Sequence, residues 1–182
     1  MNNCDKIESS KILNDKYFCV KKDRYLDKKG KCIRERLVKE GLGSAMIFAI
    51  TKDQEIIIEE QYRFGIKKIS FDLPCGRIEK KEDPLAAAQR ELLEETNFQA
   101  KTWIYLGKLA YSPADSTEYL HVFLAKNLKK TLNKKLTNNE KIKLHFISFK
   151  ELNDWIKKGK IFCCLCLAAI QLASIKLNIN KD

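Results

Sequence analysis

Residues 76–98 read GRIEKKEDPLAAAQRELLEETNF, and this stretch constrains the chain more than any other. Asp83 suits a helix N-cap and Pro84 suits the first helical position. Leu85 to Glu95 then holds only good or tolerable helix formers. At about 100° per residue, Leu85, Ala88, Leu92 and Leu93 fall on one side. Glu91, Glu94 and Glu95 fall on the other. Like charges at this spacing cost about 0.2–0.5 kcal/mol per pair. Glu94 and Glu95 also sit at the helix end where the dipole disfavours anions. Arg90 offsets part of this by pairing with Glu94. A solvated acidic face explains the charges but not their place at that end. A hard cation explains both, because Mg²⁺ takes one or two carboxylates together with substrate phosphates.

The pattern Gly76-x5-Glu82-x7-Arg90-Glu91-Leu92-x-Glu94-Glu95-x-Asn97-Phe98 resembles the Nudix box, G-x5-E-x7-R-E-U-x-E-E-x-G-U, with U an apolar residue. Only Asn97 departs, standing where the family has glycine. That position follows the helix and takes a left-handed conformation, in which asparagine is the next best residue. The resemblance implies an α/β fold, the Nudix-type α/β/α sandwich with a mixed sheet between helices. It implies Mg²⁺ or Mn²⁺ as cofactor and cleavage of a nucleoside diphosphate linked to another moiety. Carried over, Glu91 and Glu95 are metal ligands, with Glu94 beside them. Arg90 orients the glutamates, and Glu82 holds the loop or a further metal through water. Leu73-Pro74-Cys75-Gly76 resembles the family's P-A-G, so the Cys75 backbone carbonyl is an expected third ligand.

Flanking segments point within the family to ADP-ribose pyrophosphatases. Gln61-Tyr62-Arg63 resembles their Q-Y-R segment, which makes Arg63 a substrate-binding candidate; its planar fork suits phosphate or ribose oxygens. Ser112-Pro113-Ala114-Asp115-Ser116-Thr117-Glu118 resembles S-P-G-x-S-x-E, and Pro113 stands 16 positions after Asn97. Ser112, Pro113 and Glu118 are therefore expected to contact substrate. Glu140, before the last strand, occupies the place of the mobile catalytic glutamate and is the candidate general base. The implied reaction is ADP-ribose to AMP and ribose 5-phosphate. Alternatives are GDP-mannose or another ADP-sugar, RNA 5′-end hydrolysis, or a non-catalytic Nudix sensor. Sensors often lose box glutamates, and this chain keeps all of them.

The resemblance also implies that residues 1–40 form a small antiparallel sheet that swaps across a homodimer, with 41–182 as the hydrolase domain. Tyr17, Phe18 or Tyr25 are candidates to stack the base, since Arg34-Glu35-Arg36 fills the region where a tryptophan is expected.

Composition bounds these readings. A chain of 182 residues, 45% hydrophobic, with seven glycines and three prolines, predicts one domain with a sizeable core. The net charge is +11, but Lys-Lys pairs recur from 21–22 to 157–158 without a basic helix, zinc spacing or aromatic RNA-binding signature. Nucleic acid is not an expected partner; a positive field still gathers an anionic diphosphate. Seven cysteines, an odd number with no secretory leader, predict free thiols in a reducing cytoplasm. Cys163, Cys164 and Cys166 are read as buried small residues. The apolar run Ile161 to Leu177 is interrupted by Gln171 and Ser174, and reads as a core helix rather than a membrane span.

Elsewhere the pattern predicts loose residues 1–10 and short strands at 16–20, 24–26 and 32–38. Further strands are predicted at 44–51, 55–60, 69–73, 103–109, 118–125 and 143–149. Residues 126–141 read as a surface loop, and 151–158 and 162–177 as helices.

Overall fold

The computed structural model describes residues 6–14, 19–131 and 142–178. The chain divides into two compact units, residues 1–43 with 110–119, and residues 44–109 with 120–182.

The first unit is built on a three-stranded antiparallel sheet, β1 (Lys6–Asn14), β2 (Cys19–Leu26) and β3 (Cys32–Glu40), in that order. The β2–β3 turn is held by Asp27, whose carboxylate accepts from the backbone N–H groups of Lys29 and Lys31, both at 2.9 Å. Residues 6–10 are strand, not the loose segment expected. The sequence KIESSKILN has no buried face to announce it, because every residue of β1 except Glu8 is exposed. Cross-strand contacts hold it instead, with Ser9 Oγ donating to Asp23 at 2.6 Å. The connection 110–119 is tied to the end of β3: Lys39 N–H donates to Asp115 O at 2.8 Å and Thr117 N–H to Lys39 O at 3.0 Å.

The second unit is a mixed α/β assembly. Strands β7 (Cys75–Arg77), β4 (Ser44–Ala49), β9 (Tyr119–Lys130) and β8 (Phe98–Ala110) form one sheet; β4 runs parallel to β9 and antiparallel to β7. Strands β10 (Lys143–Ile147), β5 (Ile56–Arg63) and β6 (Lys68–Asp72) form a second, antiparallel sheet. Alternation along β4 sets the layers. Ala45, Ile47 and Ala49 pack with Ile57, Phe123 and Ala125 against Ala87, Ala88 and Leu92 of helix α1 (Pro84–Thr96). Phe48, pointing the other way, meets Phe149 at the start of α2 (Phe149–Lys157), ring centroids 6.1 Å apart. Helix α3 (Cys164–Leu177) also packs on β4. Helices on both faces of a mixed sheet are the sandwich expected from the sequence.

The strand β7 was not expected, since three residues are too few to carry a period, and two expectations need correction. β9 continues to Lys130, so Lys126–Lys130 is strand rather than loop. Gln61-Tyr62-Arg63 lies inside β5, not after it. Of the clustered cysteines only Cys166 is buried; Cys163 is half-buried and Cys164 exposed. The six described cysteines are free thiols. No described helix is long and apolar enough to cross a membrane.

Candidate active site

Helix α1 begins as its sequence requires. The Asp83 side chain accepts from Leu85 N–H at 2.8 Å and Pro84 occupies the first helical position. It ends on Asn97 at φ 59°, ψ 23°, a left-handed cap whose N–H returns to Leu93 O. Asparagine therefore does at this position what glycine does in the box pattern.

The acidic side of α1 is not solvated. Glu91 and Glu95 are buried, one turn apart, and they lie over β7. Cys75 N–H donates to Glu95 Oε2 at 3.0 Å. Gly76 lies directly beneath the Glu91 carboxylate, so closely that a Cβ there would overlap it. That contact, rather than backbone flexibility, is the reason for glycine at this position. Leu93, expected on the apolar side, is only half-buried, while Ala87 is fully covered.

Arg90 organises the rest. Its Nε and Nη2 hold the two Glu82 oxygens at 2.9 and 3.0 Å, Nη1 holds Glu91 at 2.6 Å, and Nη2 also donates to Arg77 O at 2.9 Å. The expected contact with Glu94 is present and is the longest of the set at 3.4 Å. Glu82 in turn accepts from Glu79 N–H at 2.8 Å, which closes the loop before the helix. The Arg90 guanidinium keeps Glu82 below the usual carboxylate range.

Electrostatics separate the buried pair from that network. Burial pushes the Glu95 carboxyl up to about 8, and the Glu91 charge adds to this. Burial raises Glu91 as well, although Arg90 pulls it down. These are acids in a place that favours their neutral form, which is where a cation gains most.

Among the described residues, no three His, Cys, Asp or Glu side chains already converge as a closed metal site. Mg²⁺ does not need one, since it keeps waters and completes its shell with substrate phosphates. Two buried carboxylates with raised pKa, over a backbone cleared by Gly76, fit such an open set.

Arg63 is engaged. Its Nε and Nη2 both donate to Asp72 Oδ2 across the β5–β6 hairpin, at 3.1 and 2.9 Å. Ser112, Pro113 and Glu118 belong to the first unit. Glu118 pairs with Lys39 at 2.5 Å, and Ser112 and Glu118 line a cavity of about 440 Å³ with Leu37 and Tyr111. Tyr25 lies in β2, half-buried. Glu140, Tyr17 and Phe18 lie outside the described residues.

Sequence reasoning missed Glu59. This β5 residue is fully buried on the face that carries Ile57 toward α1, and its carboxylate faces Glu95. Burial and the Glu95 charge push it well above the carboxylate range. The available signal was a charge in phase with an inward isoleucine, hidden at the end of the apolar run Ile56-Ile57-Ile58.

The NUDIX domain family model matches residues 42–163, and the chain belongs to this family. It is a Nudix hydrolase. The chain is 33% identical over 135 residues to the methanol dehydrogenase activator of Bacillus methanolicus, covering 74% of this chain and 73% of that one. It is 28% identical over 148 residues to the ADP-ribose pyrophosphatase of Bacillus subtilis strain 168, covering 81% and 80%. It is 25% identical over 163 residues to the GDP-mannose pyrophosphatase of Escherichia coli K12, covering 83% and 85%. A solved ADP compounds hydrolase superposes with a TM-score of 0.77 at 20% identity, covering 98% of this chain and 95% of that one, which establishes the shared fold.

Proposed function

We propose that the protein hydrolyses the diphosphate bond of ADP-ribose, giving AMP and ribose 5-phosphate, with Mg²⁺ or Mn²⁺ as cofactor. The observation that carries this reading is the buried Glu91–Glu95 pair over Cys75 and Gly76. Glu91 and Glu95 hold the cation, with Glu94, Glu82 and the Cys75 carbonyl completing or supporting the set. A bound divalent ion supplies charge stabilisation at phosphorus and a more acidic water. Arg90 fixes the glutamates while that charge changes. Glu140 takes the proton from the attacking water. Arg63, Ser112, Pro113 and Glu118 position the substrate; Arg63 has to share its fork with Asp72 to do so. Residues 1–40 form the dimer-making part and 41–182 the hydrolase domain of a cytoplasmic homodimer.

The relatives that act on ADP-ribose and on GDP-mannose both support a nucleotide sugar. Turnover of ADP-ribose, other ADP-sugars and GDP-mannose with Mg²⁺, read by release of AMP or GMP, tests the choice; faster GMP release would overturn it. A second reading, favoured by the 33% identity with the methanol dehydrogenase activator, is activation of a dehydrogenase. Stimulation that survives Glu95→Gln would favour it over hydrolysis.

A further inference from the structure

Glu59 and its neighbours on β5 and β6 carry buried oxygens without hydrogen-bond partners among the described residues. Side chains alternate along a strand, so Ile57, Glu59 and Gln61 share one face, and Asp72, paired in register with Glu59, joins it. Ile57 packs in the core beneath α1, so Glu59 stands one step further along the same face, where it meets Glu95. Glu59 has no exposed surface, and neither of its oxygens has a hydrogen-bond partner among the described residues. Once both carboxyls are ionised Glu95 cannot supply one, since both are then acceptors; in the metal-free protein a proton held between the two takes the place a cation would fill.

Its surroundings repeat the deficit. Gln61 Oε1 and Asp72 Oδ1 are also buried without a partner, so this face carries four of the five such oxygens found among the described residues. Arg63 spends both of its contacts on the other Asp72 oxygen, and Arg90 is committed to Glu82, Glu91, Glu94 and Arg77 O. No described ion pair reaches Glu59 or Glu95. Buried oxygens in native proteins are nearly always satisfied, and a cluster of them beside an acidic helix is what an ion or its ordered waters complete.

We propose that Glu59 belongs to the divalent-cation site, as a carboxylate supplied by β5 rather than by helix α1, which ligates the ion directly or through one of its waters alongside Glu95. This rests on the metal-dependent reading of the Glu91–Glu95 pair and extends it beyond the box motif. Gln61 and Asp72 Oδ1 then receive the hydrogen bonds of the ion's waters. Nudix box residues alone do not define the site in this chain.

The test is Mn²⁺ binding without substrate, by calorimetry or electron paramagnetic resonance, for the wild type, Glu59→Gln and Glu95→Gln. Glu59→Gln keeps the shape and removes the charge; it should weaken Mn²⁺ binding about 10- to 100-fold, the usual effect of disturbing a group around a metal. In the presence of chelator the same variant should lose less stability than the wild type as pH is raised, because a buried carboxyl that must then ionise without a partner has gone. Unchanged Mn²⁺ affinity in Glu59→Gln with affinity lost in Glu95→Gln overturns the role of Glu59 alone. Unchanged affinity in both overturns the metal site itself. If circular dichroism shows Glu59→Gln unfolded, Glu59→Leu provides the same comparison without polar atoms. A folded Glu59→Leu that binds Mn²⁺ like the wild type refutes the proposal.

Discussion

Raising the pH should destabilise this protein when it is metal-free, and the structure sets the size and sign of the effect. The Glu95 carboxyl titrates near 8 in the folded chain against 4.5 for the free group, a difference of 8 − 4.5 = 3.5. At 1.36 kcal/mol per pKa unit this corresponds to about 5 kcal/mol as a ceiling. The folded state binds the proton more tightly than the unfolded chain. Its contribution is therefore complete below about pH 4.5 and is lost progressively as pH rises to about 8. Glu59 and Glu91, also raised by burial, act in the same direction. His121, whose pKa burial lowers, opposes them below its ordinary value of 6.5. Urea unfolding followed by circular dichroism, at about pH 5.5 and about pH 8.5 with chelator, reads the sum. The wild type should lose several kcal/mol between the two. Glu95→Gln should lose much less, with the His121 background unchanged. Saturating Mg²⁺ should restore the wild type most at the higher pH, because the ion competes with protons for these carboxylates. Stability that is flat or rising with pH in chelator, or a slope that Glu95→Gln leaves intact, would show that the buried Glu95 carboxyl does not set the pH dependence.

Other substitutions probe the scaffold and the chemistry separately. Gly76→Ala should force the Glu91 carboxylate aside, costing about 1–3 kcal/mol in chemical denaturation and lowering Mn²⁺ affinity; an unchanged affinity would show that the close approach does not matter. Asn97→Gly should be nearly neutral while Asn97→Ala costs about 1 kcal/mol by the same assay, since only the former relieves a φ of 59°. Glu140→Gln should lower kcat by about 10²- to 10⁴-fold with Mn²⁺ affinity and KM little changed; a variant that merely binds more weakly removes Glu140 as the base.

Helix α1 was legible because its signals are local. Asp83, Pro84 and Asn97 each act through a backbone group within a few residues, so the sequence carries both the cap chemistry and the left-handed stop. The strand β1 was not, because an exposed strand needs no apolar alternation and is held by partners on β2. The three residues of β7 are too few for a pattern, yet they supply the N–H that holds Glu95 and the gap that admits Glu91. Arg63 shows another limit. Its charge and fork suggest a substrate ligand, and only the hairpin register adds that Asp72 takes its Nε and Nη2. Glu59 was hidden for the opposite reason: one glutamate after three isoleucines reads as the end of a buried strand, and its burial beside Glu95 depends on how β5 lies against α1.

The role proposed for the Glu91–Glu95 pair is diphosphate hydrolysis. Steady-state turnover of ADP-ribose at saturating Mg²⁺, wild type against Glu95→Gln, tests it most directly. The expected result is AMP and ribose 5-phosphate from the wild type and a rate about 10²- to 10⁴-fold lower from a variant that remains folded. Wild-type rates in Glu95→Gln, at the same Mg²⁺ concentration, would contradict it.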